Sequence, residues 1–174
     1  AELLGNTGEV VAFDLHENKL SLIEDNAKRL GLSNIVCKAM DATKLNSEYI
    51  CYGDKVLIDV PCSGLGIIRK KPEIKWNKSR QDLRDLVEVQ RKIMENAWQY
   101  LKPGGILLYS TCTLNKEENE ENLKWFLAKH NDAEIENIYL GNNSNFVYNS
   151  DKSLTILPND SMDGFFIGKI KKVK

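Results

Sequence analysis

Two cysteines stand where the chain leaves an apolar run. One lies in Asp59-Val60-Pro61-Cys62-Ser63-Gly64-Leu65-Gly66, the other in Ser110-Thr111-Cys112-Thr113. The thiolate is the nucleophilic form of cysteine, and a place near a helix N-terminus lowers the thiol pKa. Cys112 sits between a strand-like run and an acid-rich, helix-like segment, in which Glu117, Glu118, Glu120 and Glu121 oppose that lowering. The first motif alone also suits a Gly/Pro turn around a buried cysteine. The second thiol favours chemistry, and the glycines after Cys62 let backbone approach a ligand closely.

Three acids end strand-like runs or follow them closely: Asp14, Asp41 and Asp59. A carboxylate in the place of Asp14 can accept hydrogen bonds from the vicinal hydroxyls of a ribose, and Asp41 suits an adenine amino group. Each alone is equally an ordinary cap or turn acid; together they favour an adenosine site. The segment Arg69-Lys70-Lys71-Pro72-Glu73-Ile74-Lys75-Trp76-Asn77-Lys78-Ser79-Arg80 holds six basic residues and one acid. Such a loop suits a phosphate backbone and a stacked base, and it also suits plain solvation. Its place directly after the Pro61-Cys62-Ser63 element favours RNA contact through Arg69, Lys70, Lys71 and Lys75.

The elements that must position these groups alternate in period. Strand-like runs cover 8–14, 34–39, 55–59, 106–110 and 164–170. Leu20, Ile23, Ala27 and Leu30 predict an amphipathic helix stopped by Gly31. A long stripe of Leu83, Leu86, Val87, Met94, Ala97, Trp98 and Leu101 predicts a helix over about 79–101, ended by Pro103-Gly104-Gly105. Asn115 with Glu118 three later reads as the cap of a further helix with Leu123, Phe126 and Leu127 on its apolar face. Residues 142–153 are polar and read as a loop. The alternation predicts an α/β fold with a mostly parallel sheet and helices on both faces. Ligands of such sheets sit at the carboxyl ends of the strands, so Asp14, Asp41, Asp59 and Cys112 are expected along one rim.

Composition limits the alternatives. The chain has 174 residues, 42% of them apolar, which suits one globular domain. No run of about 18 apolar residues is present, and the first ten residues lack the regions of a signal peptide. With 24 basic and 25 acidic side chains the net charge is −1, so any nucleic-acid contact must be a local patch. Four cysteines without a CxxC pair, and two histidines, give no metal site. They point to a reducing, cytoplasmic compartment. Cys37 and Cys51, in apolar stretches, read as core.

Taken in order, the Asp59-to-Gly66 motif, the Arg69-to-Trp76 motif, Ser110-Thr111-Cys112-Thr113 with Glu117 to Glu120, and Met162-Asp163-Gly164-Phe165-Phe166 resemble the Sun-type (NSUN) RNA cytosine-5 methyltransferases. The likeness is greatest to the branch that acts on bacterial small-subunit ribosomal RNA. It implies a Rossmann-like, class I S-adenosylmethionine-dependent fold and RNA as partner. It also implies that Cys112 attacks carbon 6 of a cytosine, that Asp59 holds the base beside the cofactor, and that Cys62 assists release of the adduct. Asp14 and Asp41 would hold the adenosine end. Family members carry an Ala-Pro-Gly-Gly-Lys loop upstream of the region matched here, and Ala1 to Gly5 looks like the end of the helix that follows it. Residues 1–174 are therefore expected to form a partial catalytic domain without the first strand and the glycine-rich loop. Such a domain would be inactive alone, with open strand edges beside Asp14 and Asp59. Two other classes compete: an inactive RNA-binding module and another adenosine-cofactor enzyme such as a dehydrogenase. Covalent trapping on 5-fluorocytosine RNA separates the first, and titration with a nicotinamide cofactor the second.

Overall fold

Strand β1 (Val10–Asp14) leads through helix α1 (Glu17–Arg29) to strand β2 (Ile35–Ala39), and the two strands pair in parallel from Val10 with Ile35 to Asp14 with Ala39. Helix α1 packs on both, burying Ala27. Gly31, at φ +66°, takes the left-handed turn that lets the chain leave the helix. These elements make up the first of two units, residues 1–42; the second spans 43–174, and the computed structural model describes the whole chain.

The second unit is built on a six-stranded sheet. Its elements in order are β3 (Gly53–Asp59), α2 (Arg80–Tyr100), β4 (Leu101–Thr111), α3 (Glu120–Lys129), β5 (Ala133–Glu136), β6 (Phe146–Tyr148), β7 (Leu154–Ile156) and β8 (Phe165–Lys172). The sheet order is β3-β4-β8-β7-β6, with β5 also paired to β8. The α/β class holds. The two pairs that carry the acids and thiols, β1–β2 and β3–β4, are parallel, and the C-terminal half adds antiparallel strands. β3 lies at the edge of this sheet.

Helix α2 begins with a capping box: Ser79 Oγ accepts from the Asp82 N–H, and the Asp82 carboxylate accepts from the Ser79 N–H at 2.7 Å. It packs on β3, β4 and α3. Met94, Trp98, Leu107, Tyr109, Leu123, Phe126 and Phe166 are fully or almost fully buried between these layers, with Trp98 and Phe126 edge to face at 5.2 Å. No helix is long and apolar enough to cross a membrane.

Four details differ from the sequence reading. Helix α3 starts at Glu120, because Asn115 to Glu118 form a separate turn whose acid is drawn inward. β4 runs back to Leu101 through Pro103-Gly104-Gly105, with a register irregularity between Gly53 and Lys55 that accommodates them. The 142–153 segment contains β6, which pairs with β7 as a hairpin. Cys37 is half-buried and Cys51 is exposed at φ +52°, so neither is a core residue.

Candidate active site

Parallel pairing sets the site. Asp59 and Ser110 are register partners at the carboxyl ends of β3 and β4, and the Val60 N–H donates to the Ser110 carbonyl at 3.1 Å. Both chains then run on side by side, and Cys62 Sγ comes to lie 3.1 Å from Cys112 Sγ. Ser63 Oγ and Thr113 Oγ1, one residue further along each chain, are 2.7 Å apart and buried. The Gly66 N–H donates to the Cys112 carbonyl at 3.0 Å. The two motifs, far apart in sequence, thus meet as a pair of half-buried free thiols. Asp59 is exposed beside them, its Oδ1 accepting from Ser110 Oγ at 2.9 Å. With Ser110, Leu57, Leu108, Phe165 and Ile167 it lines an open hollow of about 280 Å³. A larger hollow of about 380 Å³ lies between α2 and α3, away from the thiols, and its Lys129 and Glu95 pair with each other at 2.9 Å.

The thiols divide their roles. A hydrogen bond from the Cys62 thiol stabilises a Cys112 thiolate and brings Cys112 down to about 7, helped by its own backbone and the Lys71 ammonium and opposed by burial and the Asp59 carboxylate. The same hydrogen bond, with burial, pushes Cys62 far up, so Cys62 keeps its proton. The helix N-terminus expected to act on Cys112 does not: α3 begins only at Glu120, and a helix dipole fades beyond its first turn. Alkylation of Cys112 by iodoacetamide should therefore rise with pH around a midpoint near 7, since only the thiolate reacts. Cys62→Ala removes the donor and should move that midpoint up toward about 8.5, the ordinary thiol value. An unchanged midpoint in the variant would show that Cys62 does not hold the thiolate.

A buried polar network that sequence reasoning missed surrounds the pair. Glu118, Gln90, Asn119 and Asn122 are all buried. Gln90 leaves one detectable trace: it interrupts the apolar stripe of α2 between Val87 and Met94. Asn119 and Asn122 lie on the face of Phe126 and leave a similar gap.

In the first unit, Asp14 and Asp41 lie at one end of the β1–β2 pair, because the Met40 N–H donates to the Asp14 carbonyl at 2.9 Å. Asp14 Oδ1 accepts the His16 N–H at 2.9 Å, and its Oδ2 lies 3.8 Å from Lys19 Nζ. A half-buried carboxylate so oriented at a parallel strand end fits a nucleoside's hydroxyls. Asp59, the third acid, belongs to the second unit with the thiols.

The basic segment is split in its engagement. Arg69 donates to the Asn159 and Asp160 carbonyls and, with Lys70 at 2.5 Å, pairs with Asp163. Lys71 and Lys75 are exposed and enter no ion pair, and Trp76 is 85% exposed.

The chain has the Rossmann-like fold of the class I S-adenosylmethionine-dependent methyltransferases. The model of the 16S rRNA methyltransferase RsmB/F family matches residues 1–171, and the chain belongs to that family. It is 40% identical over 182 residues to the probable ribosomal RNA small subunit methyltransferase B of Bacillus subtilis, covering 99% of this chain and 39% of that one. It is 37% identical over 175 residues to a Pyrococcus horikoshii tRNA (cytosine(72)-C(5))-methyltransferase, covering 100% of this chain and 43% of that one. The crystal structure of NSun6 from Pyrococcus horikoshii with SFG superposes with a TM-score of 0.84 at 37% identity, over 100% of this chain and 44% of the other. The chain thus spans about two fifths of the length of these relatives.

Proposed function

We propose that this chain is the catalytic portion of an RNA cytosine-5 methyltransferase acting on small-subunit ribosomal RNA in the cytoplasm. The observation that carries the reading is the Cys62–Cys112 pair beside Asp59. S-adenosylmethionine, when bound, supplies an electrophilic methyl group, with Asp14 and Asp41 holding its adenosine end. Cys112, as thiolate, forms a bond to carbon 6 of the cytosine and pushes electron density to carbon 5. Asp59, oriented by Ser110, accepts a hydrogen bond from the base edge. After methylation, water takes the carbon 5 proton, the electrons of that C–H bond restore the ring double bond, and the Cys112 sulfur leaves with its own pair; the Cys62 thiol assists this release by donating its hydrogen bond to the departing thiolate. The target base must be turned out of its stack to reach the sulfur.

The test is trapping. Fluorine at carbon 5 leaves no proton to remove, so incubation of the protein, expressed in its natural reading frame, with 5-fluorocytosine RNA and S-adenosylmethionine should leave a covalent adduct on Cys112. A protein that binds the RNA and the cofactor but forms no adduct would instead be an RNA-binding module.

RNA contact makes a separate expectation. The free Lys71 and Lys75 meet phosphates, while Lys70 is already neutralised by Asp163. For single strands the log–log salt slope changes by roughly 0.7 per phosphate neutralised. Replacing Lys71 and Lys75 with alanine should flatten the slope by about 1.4, and Lys70→Ala should change it less than either. Equal slopes for the double variant and the parent would reduce this segment to a solvated loop.

A further inference from the structure

Glu118 has no exposed surface, yet its carboxylate is fully engaged. Oε2 accepts the Ser63 N–H at 2.9 Å and Gln90 Nε2 at 2.8 Å, and Oε1 accepts Asn115 Nδ2 at 3.0 Å. Its backbone carbonyl accepts from Tyr109 Oη at 2.5 Å. Gln90 Nε2 also donates to the Pro61 carbonyl at 2.9 Å, and Gln90 Oε1 accepts from Asn122 Nδ2 at 2.8 Å. Pro61 and Ser63 are the residues on either side of Cys62. Across the pair, Asn119 grips both neighbours of Cys112: its Oδ1 accepts from Thr111 Oγ1 at 2.6 Å, and its Nδ2 donates to the Thr113 carbonyl at 2.9 Å. Each cysteine is thus held by its flanks, and the clamp on Cys62 ends on a buried carboxylate. A buried carboxylate is costly unless every oxygen is satisfied, and here both oxygens accept.

We propose that Glu118 is a positioning residue: through the Ser63 N–H and Gln90 it fixes the loop of Cys62 so that the Cys62 thiol donates to the Cys112 sulfur. The inference rests on the reading of Cys112 as nucleophile. Three ionisable groups act on Cys112 at this site: the Cys62 thiol, the Asp59 carboxylate and the Lys71 ammonium. Of these, Glu118 holds only the loop of Cys62. Loss of Glu118 therefore withdraws one donor and leaves the other two influences in place.

The test follows iodoacetamide labelling of Cys112 against pH, read by peptide mass spectrometry on the full chain, which needs neither RNA nor cofactor. The wild-type midpoint is expected near 7. Glu118→Ala should raise it by about one unit or more, toward the ordinary thiol value. Glu118→Gln keeps an oxygen for the Ser63 N–H and should leave the midpoint near the wild-type one. In a Cys62→Ala background, Glu118→Ala should add no further shift, which a general loosening of the structure would. Gln90→Met removes the donor to Pro61 and Glu118 and reads the same clamp from its other end, so it decides the matter if Glu118→Ala does not fold. A midpoint unmoved in folded Glu118→Ala or in Gln90→Met, or a further shift in the Cys62→Ala background, overturns the proposal. Failure of the nucleophile reading would show separately, as methylation retained in Cys112→Ser.

Discussion

Cys112→Ser, in the protein expressed in its natural reading frame, should lose methyl transfer to RNA by on the order of a thousandfold or more, and all covalent trapping with it. The serine hydroxyl is isosteric enough to keep the 3.1 Å contact with Cys62 but does not ionise near neutral pH. Cys112 therefore loses the property that the site builds, a thiolate stabilised by one donated hydrogen bond. Transfer of labelled methyl from S-adenosylmethionine to RNA measures the loss. Turnover comparable to the parent would remove Cys112 from the role. Cys62→Ala should behave differently. It leaves the nucleophile in place, at a higher pKa, and removes the group that assists release. An RNA–protein band should accumulate on a denaturing gel. If no adduct forms while Cys112 is intact and cofactor is bound, the first attack belongs to Cys62.

The two cysteine motifs are legible in sequence because each thiol follows an apolar run directly, Cys62 in a Pro/Gly turn and Cys112 between two threonines. Their meeting is not. A hydrophobic run does not name its neighbour in a sheet, and a shift by one residue turns every side chain to the other face. The Asp59–Ser110 register, which brings Cys62 to Cys112, becomes visible only in the structure. The Asn115–Glu118 spacing shows why short motifs mislead: the same three-residue offset serves a capping box and, here, a turn that sends a carboxylate into the core. The cause of the Cys112 shift also changed. The sequence offered a helix dipole to lower the thiol pKa and four glutamates to oppose that, whereas a thiol from another strand end supplies the effect. The strands β5, β6 and β7 span four residues or fewer, too short for alternation to be read. The polar clamp around Gln90 and Asn122 appears in sequence only as gaps in apolar stripes. A gap says that a polar group is buried, not what it grips.

The largest stability effect is expected at Gly66, and the reason is space. No backbone strain requires glycine there; instead three segments cross within van der Waals contact. The Gly66 N–H donates to the Cys112 carbonyl at 3.0 Å, and its carbonyl accepts the Gly164 N–H at 2.8 Å. A Cβ on residue 66 would stand 2.7 Å from the Cys112 carbonyl oxygen and closer still to that of Gly164. Both obstacles are backbone, so no side chain can swing away. Gly66→Ala must push the Cys62 loop off the end of β4 or break the two hydrogen bonds. Overpacking of this kind costs about 1–3 kcal/mol, and each lost hydrogen bond about 1 kcal/mol more. At about 2–4 °C per kcal/mol for a chain of this size, thermal unfolding should fall by roughly 10 °C. Gly104→Ala provides the contrast. Gly104 has φ +78° and open space around its Cβ position, so only the left-handed backbone penalty of about 1–2 kcal/mol applies. The two effects also differ in place: Gly66→Ala should lift the Cys112 alkylation midpoint, because the displaced loop carries Cys62, and Gly104→Ala should not. A Gly66→Ala protein that melts within 2 °C of the parent, about the effect of 1 kcal/mol or less, would show that the crossing yields easily and that the thiol pair does not depend on it.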